Sequence, residues 1–148
     1  MVVPEAVIVN ERRELGAHEV LFEPPDLSIF RARGDISAAD VGLIRAEVRR
    51  LCQEREALFS LVDLTGLGAI LPEARSRAAR PWPLQIQGIA VIGAGFLHRV
   101  VITAVDRALA RLFRGDGRFT PHFFATEAEA RAWLDQRRRA WVSRQRRP

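Results

Sequence analysis

The sequence contains no lysine and no tyrosine, and a single cysteine and a single methionine. One cysteine, Cys52, excludes an intramolecular disulfide and any multi-cysteine metal site. No apolar run approaches the ~20 residues that span a bilayer. The opening stretch Met1-Val-Val-Pro-Glu-Ala-Val-Ile-Val-Asn10 lacks the basic start and long apolar centre of a secretion signal, so a cytoplasmic protein is expected. His18, His98 and His122 are dispersed, without the spacing of metal ligands. No nucleophile–base pair is legible, and no internal repeat or low-complexity segment occurs. No catalytic residue, metal or cofactor is therefore expected.

What is present is ordinary in bulk and uneven in detail. The chain has 148 residues, enough for one domain with a real core. Hydrophobic residues make up 48% and charged residues 28%, which places it among soluble globular proteins. All 23 basic residues are arginine. A GC-rich bacterial coding sequence accounts for that usage; recognition of phosphate or carboxylate is the sharper alternative. Residues 1–73 carry 8 Arg against 13 acids, and residues 74–148 carry 15 Arg against 5, so the positive charge belongs to the second half. It culminates in Arg137-Arg138-Arg139, Arg144, Arg146 and Arg147.

Hydrophobic patterning sets the elements. Residues 1–16 show no clear period and read as a partly irregular segment. His18–Glu23 and Leu27–Arg33 read as strands joined through Pro24-Pro25-Asp26, which has turn chemistry. Ser37 and Asp40 form a capping-box-like pair opening a helix over about 38–54. Its apolar stripe is Val41, Ile44, Val48 and Leu51, with Arg45, Glu47, Arg49 and Arg50 on the wet side. Leu58–Leu64 reads as a central parallel strand interrupted by Ser60 and Asp63. It delivers a turn, Asp63-Leu-Thr-Gly-Leu-Gly68, to the sheet edge where open α/β folds place ligands and regulatory groups. A short helix over 73–80 follows Pro72 and ends at the stiff Pro81-Trp82-Pro83. Ile86–Ile92 is a further strand, closing on Gly93-Ala-Gly95. The helix over 96–114 has an expected buried stripe of Leu97, Val100, Val101, Ala104, Val105, Ala108, Leu109 and Leu112. Arg99, Asp106, Arg107, Arg111 and Arg114 fall on its outer face. Gly115-Asp-Gly117 stops it. Phe119–Phe124 is the last strand, and Thr126, with Glu129, caps a final helix directed toward Trp141.

The expected fold class is α/β. The sheet is mixed and mostly parallel, of about five strands, with an N-terminal antiparallel hairpin and about four helices. The domain occupies 17–136, followed by a basic tail over 137–148.

Four motifs in this order carry a family resemblance. They are Arg33-Gly-Asp-Ile-Ser37, Val62-Asp-Leu-Thr-Gly-Leu-Gly68, Gly88-Ile-Ala-Val-Ile-Gly93, and Phe123-Phe-Ala-Thr-Glu-Ala-Glu-Ala-Arg-Ala-Trp-Leu134. Over about residues 17–135 the chain resembles the STAS fold, most closely its SpoIIAA-like branch. The resemblance implies a non-enzymatic module. STAS proteins include anti-sigma-factor antagonists that bind a partner kinase and are switched by phosphorylation. SpoIIAA-like proteins have been associated with membrane surfaces and small apolar ligands. The antagonists' switch lies in an Asp-Ser-Ser-Gly-Leu turn, matched here by Asp63-Leu-Thr-Gly-Leu67. Leu64 stands at the phosphorylated serine and Thr65 at the next one.

Each candidate residue has a functional and a structural reading. Thr65 could carry a phosphate or close a turn with its hydroxyl. Asp63, Gly66 and Gly68 belong to the same switch or partner-binding turn, or simply shape it. Gly93, Gly95 and His98 lie between strand and helix. Their amides could hold an anion or nucleotide, although His98 replaces the third glycine of a dinucleotide fingerprint. A nucleotide- or anion-binding protein or enzyme built on that turn is the alternative function. Trp82 and Phe96 could form a movable flap over an apolar pocket. Arg137, Arg138, Arg139 and Trp141 could anchor at an anionic membrane or complement the helix dipole. No nucleic-acid-binding motif accompanies the arginines. The expected partners are a regulatory protein or a small apolar ligand, with a homodimer left open.

Overall fold

The computed structural model of the chain describes residues 10–113 and 120–147. The opening stretch as far as Val9, the terminating Gly115-Asp116-Gly117, and Arg114 and Phe119 lie outside the described residues.

Six strands form one sheet: β1 (Glu11–Leu15), β2 (His18–Glu23), β3 (Leu27–Ile36), β4 (Leu58–Ile70), β5 (Ile86–Ile92) and β6 (His122–Phe124). Four helices accompany them: α1 (Ala38–Cys52), α2 (Pro72–Ala78), α3 (Phe96–Phe113) and α4 (Glu127–Gln145). The strands lie in the order in which the chain makes them. β1, β2 and β3 pair antiparallel, and β3, β4, β5 and β6 pair parallel. The expected mixed, mostly parallel α/β sheet is thus present, with one strand more than expected.

The added strand is β1, in the segment read as irregular. Glu11-Arg-Arg-Glu14 is polar throughout and exposed, with only Leu15 buried, so it has no alternation to read. It is a charged edge strand, a composition that discourages pairing with other chains. Gly16, at φ 63°, makes the two-residue turn that places Leu15 opposite His18. Arg12 pairs with Glu19 at 2.5 Å, and Arg50 of α1 reaches Glu11 at 3.2 Å. The Pro24–Pro25 bond in the next turn is cis.

Sequential strand order has a consequence for layering. Right-handed crossovers between neighbouring parallel strands deliver every crossover helix to the same face. α1, α2 and α3 accordingly share one face, and among the described residues α4 covers the other. Beneath α4, Ala130 and Leu134 pack on Leu27, Ile29, Phe59, Leu61, Ala90 and Ile92, with Trp133 and Trp141 at the margin. On the opposite face Leu51 and Cys52 of α1 meet Val20, Phe22, Leu58 and Ile86. Val41 and Ala74 close over Ala32, Ile36, Leu64 and Val91. Successive residues of β4 divide between these cores as a strand's two-residue period requires.

The start of α1 is tied to the sheet. Ser37 Oγ accepts from the Asp40 amide at 3.1 Å, and Asp40 Oδ2 accepts from the Ser37 amide at 2.9 Å, completing the expected capping box. Asp40 Oδ2 also lies 3.2 Å from Nε2 of the buried His18, whose Nδ1 accepts from the Arg33 amide at 2.9 Å. Nδ1 therefore carries no proton and Nε2 is the donor. One carboxylate thus joins α1 to β2 and, through the imidazole, to β3. Asp40→Ala is expected to lower stability by about 1–3 kcal/mol in urea unfolding. Asp40→Asn, which retains an acceptor oxygen, should cost less; equal losses would show that charge rather than hydrogen bonding matters here.

Candidate functional site

The stretch read as a turn at 63–68 is strand. β3 and β4 stay paired beyond Asp63, with Arg33 opposite Gly66, Gly34 opposite Leu67 and Ile36 opposite Ile70, across two register shifts. The glycines that suggested a turn serve close approach instead. A Cβ on Gly66 would stand 2.7 Å from the Ala32 carbonyl oxygen, and one on Gly68 would run into the Asp35 carboxylate. Asp35 Oδ1 in turn accepts from the Ala69 amide at 2.8 Å.

Asp63 and Thr65 form a local hydrogen-bonded unit at this edge. Asp63 Oδ1 accepts from the Thr65 amide at 3.0 Å and from its hydroxyl at 2.7 Å. Asp63 Oδ2 accepts from Arg31 at 2.6 Å, and Arg31 also donates to Glu127 at 3.0 Å. Glu127 continues to Arg131, which makes a two-pronged contact with Glu23 at 2.9 Å per bond. Burial raises the Asp63 carboxyl, but bonds from Thr65 and Arg31 outweigh it and hold the group below the usual carboxylate range. Asp63 is thereby held on the α4 side of the sheet. Arg31, which the sequence reading passed over, is its main charge partner.

The two candidate turns meet. Gly93, at φ 72°, lies so close to Thr65 that a Cβ would be 2.5 Å from the Thr65 nitrogen and 2.8 Å from its Cα. His98 Nε2 is 2.8 Å from the Gly68 carbonyl oxygen, so Nε2 carries the proton. Gly95 has open space around it. Asp63, Thr65, Gly66, Gly68, Gly93 and His98 are therefore one neighbourhood, held by close packing and short bonds. Gly93 is required there by backbone conformation and contact, with no bound anion needed to explain it.

The prominent concavity lies deeper, on the helix-covered face. A half-open cavity of about 260 Å³ is bounded by the sheet and by α1, α2 and α3. Val62 and Val91 contribute from the sheet, Ile44 and Val48 from α1, and Ile102 and Val105 from α3. Trp82 lines it. Phe96 does not: it points outward at 80% exposure, with Leu97 at 74% and Val100 at 51%. The stripe expected to be buried on α3 is thus partly turned to solvent. Asp106, expected outside, faces the cavity, as does Glu47, which is buried rather than wet. Two serines also reach the cavity, Ser28 and Ser60, register partners on β3 and β4 with their hydroxyl oxygens 3.0 Å apart. The legible signal was a hydroxyl inside each of two apolar strands.

The connector carrying Trp82 is tied to α1. Arg45 of α1 donates to the carbonyls of Arg77, Arg80 and Pro81 at 2.6, 2.8 and 3.0 Å, and its guanidinium lies 4.2 Å from the Trp82 ring centroid. The Trp82 indole donates to Ala78 at 3.0 Å.

The arginines read as a basic tail belong to α4, which runs to Gln145. Arg137 donates to the Gln87 carbonyl, Arg138 clasps Asp26 at 2.6–3.0 Å, and Trp141 packs against the core. Arg139 remains exposed. Among the described residues no helix is long and apolar enough to cross a membrane, and no cluster of three or more His, Cys, Asp or Glu side chains could hold a metal.

No family model matches the chain, and no curated protein matches it. A solved structure does resemble it: an uncharacterized protein from the DUF3478 family with a SpoIIAA-like fold, from Shewanella loihica PV-4. The match covers 85% of this chain and 92% of that chain, at 17% identity and a TM-score of 0.47. The likeness carries nothing about activity.

Two predictions concern this neighbourhood. Gly93→Ala should destabilise by more than ~2 kcal/mol, because strain and a backbone clash coincide. Gly34→Ala, with φ 76° but free space, should cost about 1 kcal/mol, and Gly95→Ala close to nothing. Denaturant unfolding of the three variants checks the ranking. For Asp63, a depressed folded pKa means stability that is full above the unfolded value of about 3.9 and is lost as pH falls through the lower folded value. The deficit of Asp63→Asn against wild type should be roughly 1 kcal/mol near neutrality and shrink below about pH 4. A deficit that stays constant with pH would contradict the ion pair.

Proposed function

We propose that this chain is a non-enzymatic binding module that takes up a small apolar molecule between its sheet and α1–α3. The observation that carries the reading is the cavity of about 260 Å³, walled almost wholly by aliphatic side chains and Trp82. Core packing ordinarily leaves few voids larger than a water molecule. An apolar hollow of this size, with a few polar groups set into it, has the character of a small-molecule site. The motif resemblance to SpoIIAA-like STAS domains supports the same reading, since members of that branch have been associated with small apolar ligands.

The candidate turns enter this reading as support for the cavity. Asp63, Thr65 and Gly93 fix the strand ends beside which α3 begins, and α3 supplies Ile102 and Val105 to the wall. Regulation by a protein partner is compatible with this role and adds a consumer of the bound state.

Nile red, an uncharged dye that brightens in apolar surroundings, tests the reading. Saturable binding at one site per chain is expected. Ala78→Trp, which fills the cavity from the half-buried end of α2, should weaken binding by about tenfold or more while the far-ultraviolet dichroism stays native. Dye binding that ignores a filled cavity would sink the proposal.

A further inference from the structure

The charge and hydroxyl content of the cavity narrow its ligand, given the apolar-ligand reading above. Ser28 and Ser60 face each other across β3 and β4 in the middle of the sheet, Ser28 only 6% exposed. Two hydroxyls hold two protons, and the 3.0 Å bond between them uses one. Whichever serine donates, the other keeps an O–H with no further partner among the described residues. A buried donor without a partner costs free energy, and the open space on that side is the cavity. A ligand oxygen placed there would accept it.

The sign of the surrounding charge is equally informative. The cavity is lined by two acids, Glu47 and Asp106, and by none of the arginines among the described residues, in a chain with 23 of them. Glu47 is balanced by Arg50, with bonds of 2.7 and 3.2 Å, and by Arg13 at 3.7 Å. Those guanidinium groups do not line the cavity. An ionised carboxylate brought in would lose its water, meet no cation and sit near Asp106.

We infer that the ligand is an uncharged apolar molecule carrying one hydrogen-bond acceptor, such as an ester, ketone or alcohol, and not a free fatty-acid anion. Ser28 and Ser60 are its specificity-determining pair, and the acidic lining rejects the anion.

The test uses the full chain and two probes with the same carbon skeleton, methyl decanoate and decanoate, displacing Nile red at about pH 7. The ester should bind at least ~10-fold more tightly, since desolvating an unpaired charge exceeds the gain from burying its chain. Ser60→Ala should weaken the ester about 2- to 10-fold, the range of one hydrogen bond, and weaken decane, which has no acceptor, by less than about twofold. Ser28→Ala provides the same reading should Ser60→Ala fold poorly, judged by its thermal midpoint. Asp106→Asn should raise decanoate affinity by a larger factor than it changes ester affinity. Decanoate binding as tightly as the ester overturns the inference while sparing the apolar-ligand reading. Ester affinity that is indifferent to both serine substitutions also overturns it. Absence of any dye binding overturns the reading beneath and this inference with it.

Discussion

The parallel pairing of β3 with β4 is the constraint on which the rest of the molecule depends. These two strands, ten and thirteen residues long, remain in contact through two register shifts, far past the point where the apolar run ends. That persistence is possible because Gly66 lets the backbones approach where a Cβ would meet the Ala32 carbonyl oxygen, and Gly68 leaves room for the Asp35 carboxylate. The pairing aligns Ser28 with Ser60 on one face of the sheet and Arg31 with Asp63 on the other. It also carries the edge formed by Thr65 outward to meet Gly93, and so fixes where α3 begins.

A single long helix guards one face, and three shorter or looser ones share the other. This asymmetry follows from strictly sequential strand order and the fixed hand of crossovers. α4 seals its face with apolar side chains and a chain of ion pairs from Glu23 through Arg131 and Glu127 to Arg31 and Asp63. Such partly exposed pairs contribute modestly to stability individually, but in series they specify how the helix sits. The opposite face has no comparable seal, and there the hollow remains.

Much of this was legible in the chain. The capping box at Ser37 and Asp40, the strands 18–23 and 86–92, and the placement of the helices follow from propensity and period. Three things were not. β1 lacks alternation because both of its faces are wet, so Glu11-Arg-Arg-Glu14 resembles loop. Gly66 and Gly68 read as turn punctuation because glycine marks both turns and close contacts, and only the position of Ala32 and Asp35 separates the two. In α3 apolar residues occupy more of the circumference than the sheet covers. Period alone therefore favoured Leu97 and Val100 as inward along with Val105; Val105 does line the cavity, but beside Ile102, which the stripe left out. The site was only half visible for a related reason: Ser28 and Ser60 are unremarkable singly, and their meaning arises from a register that no local pattern encodes.

The Arg45 clasp has a mechanical corollary. By gathering three carbonyls at the end of α2 and stacking on Trp82, it welds α1, α2 and the Pro81-Trp82-Pro83 connector into one stiff panel. Among the described residues, α3 is held to the sheet by the His98 bond to Gly68 and by the Arg99 guanidinium 5.2 Å from the Phe123 ring centroid. Displacing the panel breaks several charge-assisted bonds at once, more than displacing α3 breaks among the described residues. The α3 side is therefore the more lightly tied among the described residues, and it is where a ligand of the proposed kind would enter the hollow.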